Sequence, residues 1–232
     1  MTTVAIMQPT YLSWLGYFDL IDQADVFIFL ESVQFDKRSW QQRNRIKTQN
    51  GELMLTVPVL SKGKFEQKIN DVMVDESQNF EMKHFNSICS NYNKSKFFHL
   101  YRNELESIYN YRKKTLVDLN IILIKWLCEK LGITSEFLLS SQLGVCGTKV
   151  NLLINIINKV MGKDYLSPAG AKNYINDNNL FKENNIRLIY QNYQHPIYKQ
   201  LHGNFISFLS VLDLLFNEGD SSLDIIRSGR KY

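Results

Sequence analysis

Two short apolar runs bracket a stretch of helical period at the start of the chain, and this arrangement restricts the fold more than any other feature. Val4-Ala-Ile-Met-Gln-Pro9 is an apolar run stopped by proline, and Asp25-Val-Phe-Ile-Phe-Leu30 is a second. Runs of this length, rich in β-branched and aromatic residues, read as buried strands. Between them Leu12, Leu15 and Phe18, continuing to Ile21 or Asp22, recur at helical spacing. Strand, helix, strand predicts a parallel pair joined by a right-handed crossover.

The alternation lapses and then resumes. Arg38 to Lys47 is basic and polar without clear period, after which Glu52–Val59 and Ile69–Val74 read as two strands around the loop Ser61–Lys64. That predicts an antiparallel hairpin. Phe80, His84, Ile88 and Tyr92 share one helical face, and Phe98, Tyr101, Leu105 and Ile108 share another. Thr115 is placed to cap a helix bearing Leu116, Leu119, Leu123, Trp126, Leu127 and Leu131, with Gly132 as its stop. Glu136–Ser140 and Asp164–Ser167 then read as strands around a helix from Thr148 to Met161, ended by Gly162. A helical piece around Asn173 to Asn184, a strand Arg187–Tyr193 and a helix through Phe205 to Phe216 complete the pattern, and the segment after Gly219 is expected to be loosely held. The expected fold is α/β: a mainly parallel sheet flanked by helices, in one domain over 1–232, with a hairpin and helical insertion at about 50–131.

Composition sets the class and excludes several functions. With 44% hydrophobic and 22% charged residues and only 11 Gly and 4 Pro in 232, the chain can form a core and is neither collagen-like, low-complexity nor disordered. Net charge of +4, from 27 basic against 23 acidic residues, is too slight to predict binding to duplex nucleic acid. Cys89, Cys128 and Cys146 cannot all pair and form no C-x-x-C, which suits a reducing cytoplasm. No apolar stretch approaches the roughly 20 residues of a membrane span, and Met1 is expected to begin the mature protein. No metal-ligand spacing, G-x-G-x-x-G or G-x-x-x-x-G-K-[ST] occurs, which argues against a dinucleotide-binding dehydrogenase and a P-loop kinase.

In open parallel sheets ligands bind beyond the carboxyl ends of the strands, and that rule selects Gln8 and Pro9, Glu31 to Arg38, Ser140 and Ser141, Ser167 to Gly170 and Gln194 to Gly203. Arg38, Arg43 and Arg45 fall within eight residues. With Lys37 they offer cationic contacts for phosphate or carboxylate, beside Trp40, whose ring suits a base or sugar. His195 and His202 lie on an expected loop, where an imidazole can take a proton from an amine or hydroxyl. His84 and His99 sit in helical patterns and are expected to be structural or surface residues. Leu143–Val150 is a glycine-containing turn into a helix, an arrangement able to hold an anion. Ser210, Asp213 and Asn217 fall on one edge of the last helix, suited equally to the ligand rim and to capping.

Gln8-Pro-Thr-Tyr-Leu-Ser-Trp-Leu-Gly-Tyr-Phe18, Ser32-Val-Gln-Phe-Asp-Lys-Arg-Ser-Trp40 with Arg43-Asn-Arg45, Tyr165-Leu-Ser167, and His195-Pro-Ile-Tyr-Lys-Gln-Leu201 closing on Leu209-Ser210 and Asp213–Asn217 occur in order. Through these motifs the chain resembles the WbqC-like protein family nearly end to end. Ser13 stands where proline is expected and Glu31-Ser32 where an acidic pair is usual, which weakens any claim that two carboxylates act together. A fainter likeness, by layout alone, is to the nucleotide-binding half of pantoate ligase, whose H-x-G-H signature is replaced here by Trp14-Leu-Gly-Tyr17.

The resemblance implies a bacterial protein of O-antigen, lipopolysaccharide or other surface-polysaccharide biosynthesis. It further implies transfer of glycine or another acyl group to the amine of a nucleotide-linked amino deoxy sugar. The donor is then an acyl-CoA, an aminoacyl-tRNA or an amino acid with ATP. His195 is the expected base, with Gln8 and Arg38 also catalytic. Tyr11, Trp14, Tyr17, Gln34, Lys37, Trp40, Arg43, Asn44, Ser167, Tyr198, Gln200 and His202 are the expected substrate contacts. An ATP-dependent ligase or nucleotidyltransferase and a non-catalytic sugar-nucleotide-binding protein are the competing expectations, and a homo-oligomer is left open.

Overall fold

The structure is a computed structural model that describes residues 1–111, 113–173 and 179–231. In chain order the elements are β1 (Thr3–Met7), α1 (Leu15–Asp22), β2 (Val26–Phe29), β3 (Arg43–Thr48), β4 (Gly51–Thr56), α2 (Phe80–Tyr92), α3 (Phe98–Asn110) and α4 (Leu116–Leu131), followed by β5 (Glu136–Leu139), α5 (Lys149–Lys159), β6 (Asp164–Ser167), α6 (Asn179–Glu183), β7 (Arg187–Tyr190), α7 (Val211–Glu218) and α8 (Ser222–Ser228).

Five strands form a parallel sheet in the order β5-β2-β1-β6-β7. The expected α/β class is present. Alternating side chains divide between two layers, as the period of a strand requires. Ala5, Phe27, Phe29 and Leu166 join the core built with α1 to α4 and α7. Val4, Ile6, Val26, Ile28 and Tyr165 face α5 and α6 through Leu153, Ile156, Ile157 and Phe181. The chain moves outward through β1, β2 and β5, then crosses α5 to β6 on the far side of β1. Connections therefore leave β1 and β6 in opposite directions, which opens a crevice beyond their carboxyl ends.

Three expectations need correction. The antiparallel hairpin is present but pairs β3 with β4, Arg43 opposite Thr56 through Thr48 opposite Gly51, rather than Glu52–Val59 with Ile69–Val74. Of the expected pairing only the bridge Val59 to Val74 forms, while Ile69–Asp71 is a 3₁₀ turn. Pro58 supplies no N–H to a ladder, and its carbonyl accepts instead from Asp75 N. The helix expected through Phe205 to Phe216 is α7, which starts at Val211 because Phe208 is held at φ 58° and Ser210 caps the helix by accepting from Leu212 N, and α8 follows it. The segment after Gly219 is anchored. Arg227 pairs with Asp22, Arg230 bridges Asp19 and Asp22, and Ile226 is fully buried.

Thr115 does cap α4, accepting from Asp118 N, and Gly132 ends it at φ 75°. Of the expected helix at Asn173 to Asn184, α6 supplies the end, and 174–178 lie outside the described residues. Among the described residues, no helix is long and apolar enough to cross a membrane.

Candidate functional site

Two adjoining chambers occupy the crevice beyond β1 and β6. The first, about 400 Å³, has an apolar floor that includes Ile6, Leu152 and Tyr165 and a polar rim of Gln8, Thr10, Asp36, Ser39, Gln41 and Lys149. The second, about 340 Å³, is walled by Trp14, Tyr17, Trp40 and Phe208 with Asn44 and Arg45. Met7, Thr10 and Trp40 line both.

Gln8 follows the last residue of β1, and its backbone carbonyl accepts from Tyr17 Oη at 3.1 Å. Its side-chain Oε1 accepts from Gln41 Nε2 at 2.8 Å, so the amide NH₂ is the group left to donate towards a ligand. Gln41 is in turn fixed by Asp36 N, which donates to its Oε1 at 3.2 Å. Asn120, fully buried on α4, donates to the carbonyls of Pro9 and Gln41 at 3.1 and 2.7 Å and ties the two rim segments together. A polar residue on the otherwise apolar face of that helix is the signal in the sequence that points to it.

Trp14 lies flat on the start of α1. A Cβ at Gly16 would stand 2.2 Å from the indole, so only glycine allows this approach. The ring is enclosed by Tyr193 and Phe208, with centroids at 5.7 and 5.3 Å, and is stacked on His195 at 6.2 Å and 14°. His195 Nδ1 contacts the Pro196 carbonyl at 2.8 Å. A carbonyl only accepts, so the proton resides on Nδ1 and Nε2 presents its lone pair. Nε2 is buried without a protein partner, and burial lowers the ring's pKa below its ordinary value. His195 is thus a neutral imidazole with a bare acceptor, seated behind Trp14 and Phe208 and not on either chamber's wall.

Behind His195, Tyr198 donates to Asp213 Oδ2 at 2.9 Å and Tyr92 donates to Oδ1 at 3.0 Å. Burial pushes the Asp213 carboxyl up to about 6, against these two donors. Buried Lys47 donates to Gln200 Oε1 at 2.9 Å and to the Asn204 carbonyl at 2.6 Å, and its ammonium is pushed down by desolvation. Gln200 also accepts from Ile206 N and donates to the Ile206 carbonyl. The network spends its polar groups on fixing the loop from Tyr198 to Ile206. Asn217 donates to the Asp213 carbonyl, so the polar edge of α7 serves this scaffold.

Of the residues expected to form the site, Gln8, Trp14, Tyr17, Trp40 and Asn44 are brought together. Asn44 holds the carbonyls of Tyr11 and Leu12 with its NH₂ group. Tyr11 is fully buried, with its hydroxyl 2.7 Å from His84 Nδ1 and 2.5 Å from Tyr109 Oη. Arg38 lies exposed on a turn at φ 61° and lines neither chamber. Lys37 donates to the Ser61 carbonyl and sits over Phe65, and Gln34 donates to the Phe65 carbonyl. Arg43 is half-buried at the start of β3, His202 contacts the Asn91 carbonyl, and Ser167 is buried at the end of β6. Tyr198 and Gln200 belong to the scaffold behind the chambers. Of the basic cluster, Arg45 lines the second chamber, and Lys149, Phe208, Gln41 and Asn120 are the additions that the structure makes.

Glu31 accepts from Ser140 N, Ser140 Oγ and Ser141 N, and so ties the end of β2 to the turn after β5. Among the described residues, no group of three His, Cys, Asp or Glu side chains is placed to hold a metal ion.

The family model described as the WbqC-like protein family matches residues 8–225, from the rim glutamine into the C-terminal helix. The chain belongs to the WbqC-like protein family. It is 36% identical over 233 residues to "Uncharacterized protein Rv1507c" of Mycobacterium tuberculosis (strain ATCC 25618 / H37Rv), covering 100% of each chain. No solved structure matches it significantly. The family match spans the lining of both chambers from Gln8 onward and the scaffold behind them.

Proposed function

We propose that this WbqC-like protein is an amide-forming N-acyl or aminoacyl transferase acting on the amino group of a nucleotide-linked amino deoxy sugar in bacterial surface-polysaccharide biosynthesis. The observation that carries the reading is the pair of adjoining chambers: a polar rim with one cation, Lys149, and one carboxylate, Asp36, beside an aromatic compartment. A nucleotide sugar has the same division into a charged diphosphate and a ring. In this reading the nucleotide occupies the first chamber, with diphosphate against Lys149 and the Gln8 amide, and the sugar reaches into the second.

The reaction requires a neutral amine to attack an activated carbonyl. The new N–C bond forms as the bond to the donor's thiol, ribose oxygen or adenylate breaks, and the amine's proton passes to a base. His195 suits that role by protonation state, neutral with Nε2 bare, and to reach an amine in the second chamber it requires Trp14 or Phe208, the rings packed against it, to move aside. Preorganised donors such as the Gln8 NH₂ are the kind of group that holds a developing oxyanion.

The test supplies purified protein with nucleotide amino sugars and, separately, acyl-CoAs, amino acids with ATP, and aminoacyl-tRNA. A new mass equal to sugar plus acyl group is expected with one donor, and no new mass with any donor would overturn the reading. The strand order, with its reversal beside β1, is also the layout of mononucleotide-binding sheets and favours an ATP-dependent ligase or nucleotidyltransferase as the second reading. Acid-dependent release of pyrophosphate, with no dependence on an amino sugar, would select it.

A further inference from the structure

His195 is separated from the second chamber by single rings, and their orientations decide which of them bars the way to Nε2. Trp14 and Tyr198 lie nearly parallel to the imidazole, at interplanar angles of 14° and 26°, and a parallel ring covers a face. The lone pair of Nε2 lies in the ring plane, so a ligand meets it along that plane and not through a face. On the Nδ1 side the plane is closed by the Pro196 carbonyl at 2.8 Å. Phe205 and Phe208 stand across it at 60° and 64°, with centroids at 5.8 and 5.1 Å. Between them Nε2 is buried without a protein partner. Phe205 lines neither chamber, whereas Phe208 is a wall of the second.

Trp14 is built in. Its backbone is bridged to Ser210, its carbonyl accepts from Tyr17 N at 3.0 Å, and its indole is seated on Gly16. Phe208 is half-exposed, so its ring can turn outward into solvent without displacing protein. The chain on either side is pinned: Ile206 N and its carbonyl are both bonded to Gln200, and Ser210 N donates to the Arg45 carbonyl at 2.9 Å. Between these fixed points Phe208 is at φ 58°, a conformation that a bulky L residue rarely adopts. Its carbonyl is held there by one terminal nitrogen of Arg45 at 3.2 Å, and Arg45 is itself fixed by Glu52 and by the Trp40 ring beneath it. Strain of this kind persists only while its surroundings hold it, and it lowers the cost of leaving the observed position.

Resting on the reading above, in which His195 takes the amine's proton, we infer that Phe208 is a gate between the second chamber and His195, with Arg45 as its latch. The gate is closed in this structure. Its ring swings outward for Nε2 to meet a ligand, and its return shuts water away from the imidazole.

The experiment measures the rate at which diethyl pyrocarbonate, which acylates a neutral imidazole at its lone pair, modifies each histidine, read by peptide mass spectrometry. Exposed His99 is the open reference, and buried His84 reports an intact fold. In wild type His195 should react far more slowly than His99. Phe208→Gly keeps the left-handed backbone without strain and removes only the ring, so it should fold and bring His195 close to the rate of His99. Phe205→Ala, which removes the ring that lies off the chamber, should leave His195 slow. Arg45→Met keeps the Phe208 ring and removes the donor that holds its carbonyl, so it should raise the rate above wild type. His195 reacting as fast as His99 in wild type, no gain in Phe208→Gly, or an equal gain in Phe205→Ala overturns the gate. An unchanged rate in Arg45→Met overturns it too, because Phe208 would then be a fixed wall. These rates require neither sugar nor acyl donor, so the gate and the transferase reading fail separately.

Discussion

Replacing Gly16 with Ala tests the aromatic wall through one methyl group. In an ordinary helix this change stabilises by about 1 kcal/mol, because alanine loses less backbone freedom on folding. Here the new Cβ would lie 2.2, 2.4 and 2.7 Å from three atoms of the Trp14 ring, against the roughly 3.5–4.0 Å of a relaxed carbon contact. The indole must retreat by more than an ångström. Tyr193, His195 and Phe208 pack against it, so the side left to it is the second chamber, and moving there gives up those ring contacts. Overpacking of this kind costs about 1–3 kcal/mol, which outweighs or cancels the helical gain and leaves a net loss of up to about 2 kcal/mol. For a chain of this length each kilocalorie moves the midpoint by about 2–4 °C. The assay is thermal and urea unfolding of Gly16→Ala in the wild type and in a Trp14→Leu background. The account expects destabilisation or no gain in the first and a gain of about 1 kcal/mol in the second, a coupling of about 1–3 kcal/mol. A raised midpoint in both backgrounds would show that Trp14 does not lie on Gly16.

Arg230→Ala should destabilise by roughly 3–5 kcal/mol in urea unfolding, since it leaves fully buried Asp19 without its cation. His84 is held at about 4 by burial, below its ordinary 6.5, so its contribution is complete above pH 6.5 and drains as pH falls towards 4, where about 3 kcal/mol is lost. The stability difference between wild type and His84→Gln should shrink by that amount over the same window. Asp213, raised to about 6, works in the opposite direction in both proteins, and an unchanged difference would remove His84 from the account. His195→Gln should cut turnover of the amino sugar by about 10²–10⁴-fold and remove the acidic limb of the rate profile, as loss of a general base does; a profile that keeps that limb would make the residue structural.

The sheet was legible because β1 and β2 are buried on both faces and carry unbroken apolar runs, and the helices because Thr115, Gly132 and the Ile88 and Leu105 faces obey the helical period. β3 was not, since its half-buried positions are Arg43 and Arg45 and its buried ones include Asn44 and Lys47, so charge masks the period of two. In the site, the rule of carboxyl ends selected Gln8 but not which side chains of the following loops turn inward. Tyr11 turns into the core to meet His84, and Lys37 turns away to Ser61. Lys149, on the glycine-containing turn already suited to an anion, supplies the cation instead. Phe208 falls within the expected helix because its apolar neighbours keep the helical period, and a left-handed backbone whose carbonyl accepts from the distant Arg45 leaves no mark on local sequence.

The central claim is that a nucleotide sugar binds across the two adjoining chambers beyond β1 and β6. Calorimetric titration of wild type and Lys149→Ala with a uridine or thymidine diphosphate amino sugar addresses it directly, because Lys149 is the cation on the first chamber's rim. A lost charge-assisted contact to phosphate is worth about 1.5–3 kcal/mol, so affinity should fall by about 10- to 100-fold. Unchanged affinity in Lys149→Ala, or a greater loss in Lys37→Ala on the exposed loop, would contradict it.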